Sequence, residues 1–443
     1  MVGKAQLLLV LGFALIFMIL GYLWSDLSSR SVDNQVDYYK ETIAHNLAVS
    51  GANLACSEIY RDQTWNAGFS DLDYYNGEID VEVTNIGPLL DIVLVTSKGT
   101  YMGVTHTVKV KLRDSYFSKF AWYIGNASSK KFITGDTVWG PFHSQSFLNI
   151  EGDPAFFGKV STFKGIKPSP SQMQSLGYNP YFSVLPRSGV DIPYPNNYEF
   201  VAEKEKAIEG VAEGGSSLFE STDLWLTFYD NGDVGYMTGV GDDSSTYSAE
   251  IRLPLETFAP TGVIYLAKGD IYMSGTLNGK IQIVSGEASG LGNGNVYLVG
   301  DMVYADDPMT RRQIDPPIWE VTGSDDMMGL MATNNVRVAT SVESGGFANN
   351  VADGDIEINA FVFCAQGGVQ LQDYNGINTD CGTFLVKGGV VAAKEELIAK
   401  LDADGNVVAG FERYVVFDER EGLIEIPPYF IPTGLYEIFS WLE

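Results

Sequence analysis

One uninterrupted apolar segment lies at the start of the chain, over residues 5–24 (AQLLLVLGFALIFMILGYLW), with Gln6 as its only strongly polar member. A helix of about 20 apolar residues, rising about 1.5 Å per residue, spans a hydrocarbon core of about 30 Å. The segment is longer than the apolar part of a secretory signal peptide, and no A-x-A-like cleavage site follows it. It therefore predicts a helix that crosses a membrane.

The helical pattern continues beyond this segment. Apolar residues at three- and four-residue spacing form one stripe: Val32, Val36, Tyr39, Ile43, Leu47 and Leu54. A patch of small residues, which would allow another backbone to approach closely, lies in the same part: Ala48, Gly51, Ala52 and Ala55. No proline interrupts residues 2–61. The sequence predicts one long helix whose residues 1–27 form the transmembrane half and whose amphipathic second half needs a packing partner.

The periodicity changes after the helix. Residues 77–113 alternate between apolar and polar positions, and the segment SKG at 97–99 is typical of a hairpin turn. This pattern predicts an antiparallel sheet. Together with the second half of the helix, it defines a predicted unit over residues 28–114, and the predicted fold class is α+β.

The rest of the chain, residues 115–443, is rich in short apolar segments that begin with Gly, Asn or Asp. Two of them, GDIYM at 269 and GNVYL at 294, are similar to each other at a spacing of 25 residues. Such recurrence predicts a β-solenoid, in which each coil buries its apolar positions against the next coil. Because the spacing is irregular, a β-sandwich remains the alternative.

Two parts of this domain depart from the pattern. Residues 188–250, approximately, contain a helical segment and a hairpin, and we expect an α/β insertion that covers one face or end of the domain. Near the C-terminus, the prolines of IPPYFIP exclude a central strand, so we expect the end of the chain to run along the outside as a cap.

Charge excludes several functions. The chain of 443 residues has 28 Lys and Arg against 56 Asp and Glu, a formal net charge of -28. A surface of this kind repels nucleic acid and anionic lipid, since both require clustered basic residues. No nucleic-acid partner is expected, and the membrane anchor must be the apolar helix.

The chain has three cysteines, Cys56, Cys364 and Cys381. Cys364 and Cys381 are disulfide candidates, because a bridge would close a short loop and stabilise the fold by about 3 kcal/mol in an oxidising compartment. The alternative is that both are small buried hydrophobic residues. Cys56 is expected to be free or buried.

Few residues suggest catalysis or metal binding. No zinc-binding spacing, nucleophile elbow or phosphate-binding loop occurs. His45 on the helix and His106 on a strand are not expected to share a metal, and His143 is expected in a turn or in the core. Asp402, Asp404 and Asn406 form a weak Ca²⁺ candidate, for which a hairpin turn is the stronger alternative. We expect no cofactor and no enzymatic activity.

The N-terminal residues resemble a type IV pilin. A short leader that ends in Gly3 is followed at once by the apolar helix, and VDNQVDYYKETIAHNLAVSGANLACSEIY resembles the second half of the first helix in PilX-like minor pilins. The resemblance implies cleavage after Gly3, with Lys4 as the new N-terminus. Major subunits carry Phe at the first mature position and Glu at the fifth, where this chain has Lys4 and Leu8. These two departures imply a minor, tip-located subunit. In this subunit, residues 115–443 would form a large C-terminal β-domain.

This resemblance implies a structural role. We expect an inner-membrane protein whose extracytoplasmic domain reaches a surface filament, the pilus or a related pseudopilus, with other pilin subunits and the membrane as its partners. Gln6, Ala48, Gly51, Ala52 and Ala55 are the candidate residues for packing against neighbouring helices, and Gln6 is expected to pair with a neighbour's N-terminus. Adhesion to surface glycans is a further expectation. The alternative function is a membrane-tethered β-helix protein that binds or degrades surface polysaccharide. In such a protein, Trp139, Tyr297, Tyr304 and Trp319 would stack on sugars, although for each of them a place in the core is the stronger alternative.

Overall fold

The computed structural model describes residues 2–86, 92–196, 198–241, 244–286, 293–312, 318–339, 354–372, 374–376, 380–402, 407–420 and 430–443. The chain divides into two compact units. The first unit comprises Met1–Ser115 and Gly434–Glu443, and the second unit is Tyr116–Thr433. A long N-terminal helix and a large β-rich part together give the α+β class that the sequence predicts.

The helices are α1 (Val2–Arg61), α2 (Pro170–Leu176), α3 (Val201–Ala212) and α4 (Leu255–Phe258). Four strands follow α1: β1 (Phe69–Tyr74), β2 (Gly77–Ile86), β3 (Ile92–Tyr101) and β4 (Val104–Tyr116). The next ten are β5 (Trp122–Asn126), β6 (Phe132–Ile133), β7 (Thr137–Trp139), β8 (Phe142–Ser144), β9 (Phe147–Glu151), β10 (Ala155–Phe156), β11 (Val160–Thr162), β12 (Gly165–Lys167), β13 (Tyr181–Phe182) and β14 (Arg187–Ser188). Nine more are β15 (Leu218–Phe219), β16 (Asp223–Phe228), β17 (Asp233–Gly239), β18 (Ile251–Pro254), β19 (Val263–Leu266), β20 (Ile271–Leu277), β21 (Lys280–Ser285), β22 (Val296–Tyr304) and β23 (Met309–Arg312). The last nine are β24 (Ile318–Val321), β25 (Met327–Ala332), β26 (Val336–Val338), β27 (Ile356–Cys364), β28 (Val369–Leu371), β29 (Asp380–Lys394), β30 (Ala399–Leu401), β31 (Val407–Phe417) and β32 (Pro432–Leu442).

In the first unit, α1 is a single helix of 60 residues, as its unbroken pattern predicts. Its second half packs on a five-stranded sheet with the order β1-β2-β3-β4-β32. The pairs β1–β2, β2–β3 and β3–β4 are antiparallel. The apolar residues of helix and sheet that face each other form one buried cluster: Leu47, Ala48, Ala52, Ala55, Ile59, Ile79, Val81, Val93, Val95, Val108, Val110 and Leu112.

The last strand corrects the expectation of an outer cap over the β-domain, because β32 belongs to the sheet of the first unit. Several contacts hold it there. Arg113 and Glu437 form an ion pair at 2.8 Å, the guanidinium of Arg113 lies 5.6 Å from the ring centre of Phe439, and Trp441 packs against the helix–sheet core. The prolines lie before the segment 434–442, which is therefore free to pair as an edge strand.

In the second unit, most strand pairs are parallel. One series of paired strands runs β15, β19, β21, β25, β27 and β29, and another runs β16, β20, β22, β26 and β28. The two similar segments of the sequence lie side by side, since Ile271, Tyr272 and Met273 pair with Val296, Tyr297 and Leu298. Aromatic rings also stack across the neighbouring strands β16, β20 and β22. The ring centres of Trp225 and Tyr272 lie 5.3 Å apart, and those of Tyr272 and Tyr297 lie 4.8 Å apart.

The order of strands in space differs from their order in the chain. β29 pairs in parallel with β5, and β31 pairs in parallel with β7, so the last long strands of the unit lie beside its first strands. From there, parallel pairing continues through β8, β11 and β14 on one path and through β10 and β13 on another.

The residues between β14 and β15 pack on the outside of the series of strands that runs from β15 to β29. Tyr194, Phe200 and Ala207 of this segment pack in one buried cluster with outward-facing residues of β19, β27 and β29, among them Tyr265, Phe363 and Val391. The hairpin β16–β17, in which Phe228 pairs with Val234, lies within the range of the expected insertion.

Candidate assembly interface

The first half of α1 presents an apolar surface that none of the described residues covers. The large apolar side chains from Leu7 to Leu27 are 46 to 77% exposed. Within the described residues, α1 is the helix long and apolar enough to cross a membrane, and none of its most apolar window is buried. An apolar surface of this size requires lipid or other apolar chains around it.

The residues of the expected processing site lie at the beginning of this helix. Gly3, Lys4 and Gln6 are all exposed, and a side chain at Gly3 would meet no atom within 4 Å. The first turn contains no acidic residue. A protease or a neighbouring subunit therefore has steric access to these positions.

The stripe of the second half is divided between solvent and core. Val32, Val36 and Tyr39 are 44 to 57% exposed, whereas Leu47 is buried at 3%. Tyr39 marks the change, since its ring makes an edge-on contact with Tyr101 of β3 at 6.2 Å. The part of the stripe that remains open to another chain is thus the part before residue 40, together with Leu54, which is 41% exposed.

The small-residue patch has a different role from the expected one. Ala48, Ala52 and Ala55 are fully buried against the sheet of the same unit. At Gly51, a Cβ atom would lie 2.4 Å from Ser97 Oγ and 2.5 Å from Ile79 Cγ2. The close approach that the small residues allow is therefore between α1 and its own sheet, and these four positions do not face neighbouring helices. Gln6 alone of the candidate packing residues is exposed.

A second uncovered apolar surface lies on β32, which sequence analysis did not assign to this unit. Ile438, Phe439 and Leu442 are 47 to 54% exposed on this edge strand. An edge strand with exposed apolar side chains can pair with or pack against another chain. The alternation of apolar and polar residues around Glu437 and Ser440 is irregular, so the sequence of this segment does not predict a strand.

The cysteines do not form the expected bridge. All three are thiols, and Cys364 and Cys381 both lie in the apolar core of the second unit. Cys364 on β27 pairs in register with Ala392 on β29, far along that strand from Cys381 near its start. Cys381 therefore does not lie opposite Cys364 in the β27–β29 pair, and no disulfide joins the two residues. Burial raises the pKa of the Cys364 thiol to about 12, and it also raises the pKa of Cys56. Both thiols are therefore poor nucleophiles.

The weak Ca²⁺ candidate lies mostly outside the described residues, to which Asp404 and Asn406 do not belong. Asp402 is exposed. The flanking strands β30 and β31 are antiparallel, with Leu401 paired to Val407, which is the arrangement expected of a hairpin. Elsewhere, Asp71, Glu78 and Asp80 bring three carboxylates together, and the proximity of Asp71 raises the pKa of Glu78.

The histidines differ from expectation in one respect. The rings of His45 and His106 lie 5.9 Å apart, edge to face, because α1 packs directly on the sheet. His45 also contacts Glu443 through Nε2 at 3.2 Å. His143 is buried between Ser161 and Gln145 and stacks on Tyr123, and burial lowers its pKa, so it is a neutral core residue.

No protein-family model and no curated protein matches this sequence. Among solved structures, it is similar to the competence-associated pilin ComZ from Thermus thermophilus, with 12% identity and a TM-score of 0.28, over 91% of this chain and 97% of that chain.

Proposed function

We propose that this protein is a structural subunit of a type IV pilus or a related pseudopilus, of the minor, tip-located class. The observation that carries the proposal is the division of one 60-residue helix into two halves. The first half is apolar and exposed, and the second is fixed on an antiparallel sheet. A helix of this kind can reside in a bilayer as a monomer and can exchange lipid for neighbouring helices in a filament.

The proposed mechanism is assembly from the inner membrane. The short N-terminus faces the cytoplasm, and both β-rich units are extracytoplasmic. Transfer into a filament would bury the exposed apolar surface of residues 7–39 against other pilin helices. Gln6 would pair with a neighbour's N-terminus in place of an acidic residue, and unchanged assembly of a Gln6→Leu variant would contradict that role.

The second unit is proposed to be a β-solenoid, with a β-sandwich as the alternative. Parallel pairing supports the solenoid, because short connections between strands of a sandwich produce antiparallel pairs. The ring stack of Trp225, Tyr272 and Tyr297 also supports it, since equivalent positions of successive coils lie directly over one another. Such a unit would act as a rigid domain for assembly or adhesion at the filament tip.

The proposal assigns no enzymatic activity and no cofactor to the chain. The alternative, a tethered protein whose helix is only an anchor, differs in its prediction for the helix. If α1 is an anchor, a substitution that keeps its apolarity but changes its surface shape leaves function intact. If α1 is an assembly element, such a substitution abolishes incorporation into filaments.

The N-terminus of the mature protein tests the class. Full-length protein is extracted from membranes of the native host, and its N-terminal peptide is identified by mass spectrometry. We expect a chain that begins at Lys4, with a methyl group on the new amine. A Gly3→Leu variant should remain uncut, whereas the control Gly12→Ala should be processed. An uncut Met1 or a start beyond Trp24 in the unmodified protein would overturn the proposal.

A further inference from the structure

A cleft whose lining residues all belong to the second unit lies on the outer surface of that unit. It has a volume of about 410 Å³ and is formed where the hairpin β23–β24 stands beside the outward faces of β22, β27, β29 and β31. The residues that line it include Trp319, Tyr414, Asp301, Asp355, Glu357 and Arg311. Its size is within the range of small-molecule sites.

Two aromatic rings form the apolar part of the cleft. Trp319 from the hairpin and Tyr414 from β31 lie with their ring centres 6.4 Å apart and their planes at 59°. The hydroxyl of Tyr414 accepts a hydrogen bond from Trp139 Nε1 at 3.1 Å, which fixes the ring. Two inclined rings with fixed positions can each contact a C–H face of a flat, hydroxylated ring.

The polar groups of the cleft are held by the backbone. Asp301 Oδ1 accepts the N–H of Glu357 at 2.8 Å, and Asp355 Oδ1 accepts the N–H of Thr383 at 2.7 Å. Each carboxylate keeps a second oxygen as an acceptor. Arg311 is exposed and offers donors at the opposite wall.

The charges argue against an anionic or strongly cationic ligand. Asp301 and Asp355 repel an anion. Glu357 is already paired with Lys387 at 2.9 Å, and Arg311 repels a basic peptide. The three carboxylates are not among the described groups that converge within 4.8 Å of one another, as one metal ion would require. Hydroxyl groups, in contrast, donate to carboxylates and accept from a guanidinium.

We propose that this cleft binds a neutral oligosaccharide, with Trp319 and Tyr414 as the stacking residues and Asp301, Asp355 and Arg311 as hydrogen-bonding residues. Aromatic side chains continue along the neighbouring strands: Trp139 stacks on Phe157 at 3.7 Å, and Phe157 contacts Tyr181 at 4.9 Å. The binding surface can therefore extend beyond one sugar ring. The inference extends the proposed adhesive role of the second unit but does not depend on cleavage after Gly3.

The test uses the full chain in a detergent without a sugar head group, because a maltoside would compete for the cleft. Neutral hexose and N-acetylhexosamine oligosaccharides, uronic-acid oligosaccharides and oligolysine are the probes, and binding is measured by calorimetry. We expect binding of at least one neutral oligosaccharide. Trp319→Ala should weaken it by about tenfold or more, as loss of a central aromatic contact does.

Matched variants separate binding from folding. Tyr60→Ala removes a tyrosine of α1 that is 61% exposed and outside both the cleft and the neighbouring aromatic residues, so affinity should stay within about twofold. Asp355→Asn keeps an acceptor for the N–H of Thr383 while it removes the charge, and affinity should fall with an unchanged melting curve. If Trp319→Ala does not fold, Asp355→Asn and Arg311→Ala decide the outcome.

Three results would overturn the inference: no neutral oligosaccharide binds, binding survives Trp319→Ala, or only oligolysine or an acidic oligosaccharide binds. The mature N-terminus is measured independently by mass spectrometry. A failure of sugar binding therefore leaves the proposed pilin function intact, and a failure of processing leaves the cleft assignment intact.

Discussion

Arg413 of β31 is a buried cation between two carboxylates from distant parts of the chain. Its guanidinium contacts Asp136 at 2.7 Å and Glu395 at 2.8 Å, and the three residues are 1 to 4% exposed. Trp122 Nε1 donates to the other oxygen of Glu395 at 3.1 Å. Asp136 precedes Arg413 by 277 residues, so no local pattern could have predicted the pair. The network lies where the first strands of the second unit meet its last strands.

An Arg413→Ala substitution should destabilise the second unit by about 3–5 kcal/mol, because it leaves two buried carboxylates without their cation. Arg252→Ala is the control, since Arg252 pairs with Asp233 at 2.9 Å on the surface, where solvent screens the pair, and its loss should cost far less than the loss of Arg413. Urea unfolding of the full chain, followed by tryptophan fluorescence, measures both. An equal, small loss of unfolding free energy in the two variants would show that the buried network does not hold the first strands of the second unit to its last strands.

The loss in Arg413→Ala should also depend on pH. Burial raises the pKa of Glu395 even with Arg413 present, and removal of the cation raises it further. A carboxyl whose pKa is raised by folding favours the folded state below its unfolded pKa, and that contribution is lost as the pH rises through the folded pKa. The deficit relative to the unmodified protein should therefore be smaller near pH 5 than near pH 8. A stability deficit that is constant between pH 5 and pH 8 would contradict the role of Arg413 as the cation that keeps Glu395 ionised.

At the scale of elements, periodicity predicted α1 and the antiparallel sheet correctly, because each buries one regular face. It did not show what the small-residue patch contacts. A run of small residues indicates close approach, but the sequence does not say whether the approaching backbone belongs to the same chain. The structure answers this at Gly51, whose missing side chain makes room for Ser97 and Ile79.

A Gly51→Ala substitution should loosen α1 from its sheet. The added Cβ would lie 2.4 Å from Ser97 Oγ, and overpacking of this kind costs about 1–3 kcal/mol. Gly21→Ala is the matched control in the same helix, because its Cβ would meet nothing within 4 Å. Hydrogen exchange of the amides of β2 and β3, read by mass spectrometry, should accelerate in Gly51→Ala and stay unchanged in Gly21→Ala. Unchanged exchange in Gly51→Ala would mean that the helix adjusts without loss.

At the scale of the whole molecule, the sequence predicted short strands but not their order. Tyr414 pairs with Thr137, and parallel partners this far apart leave no trace in local hydrophobic patterns. The cleft cannot be found from local patterns for the same reason: the sequence offers Trp319 as an aromatic that could contact sugar, but its neighbours in the cleft come from five other strands. The C-terminal strand was missed because its sheet partners precede it by more than 300 residues, as the separation of 324 residues between Arg113 and Glu437 shows.

The last ten residues of the chain belong to the first unit, and their removal tests whether they complete its sheet. Deletion of Gly434–Glu443 takes away most of β32, the ion pair of Arg113 with Glu437 and the contact of His45 with Glu443. We expect β4, which would become the edge of the sheet, to lose amide protection. Amides of β20 and β22 in the second unit should keep theirs. A Glu443→Gln variant is the control, since it removes only the exposed carboxylate that contacts His45 and Trp441 and leaves the strand in place. If β4 stays protected in the deletion, β32 is not needed to complete the sheet. If protection falls in both units, they do not fold as separate bodies.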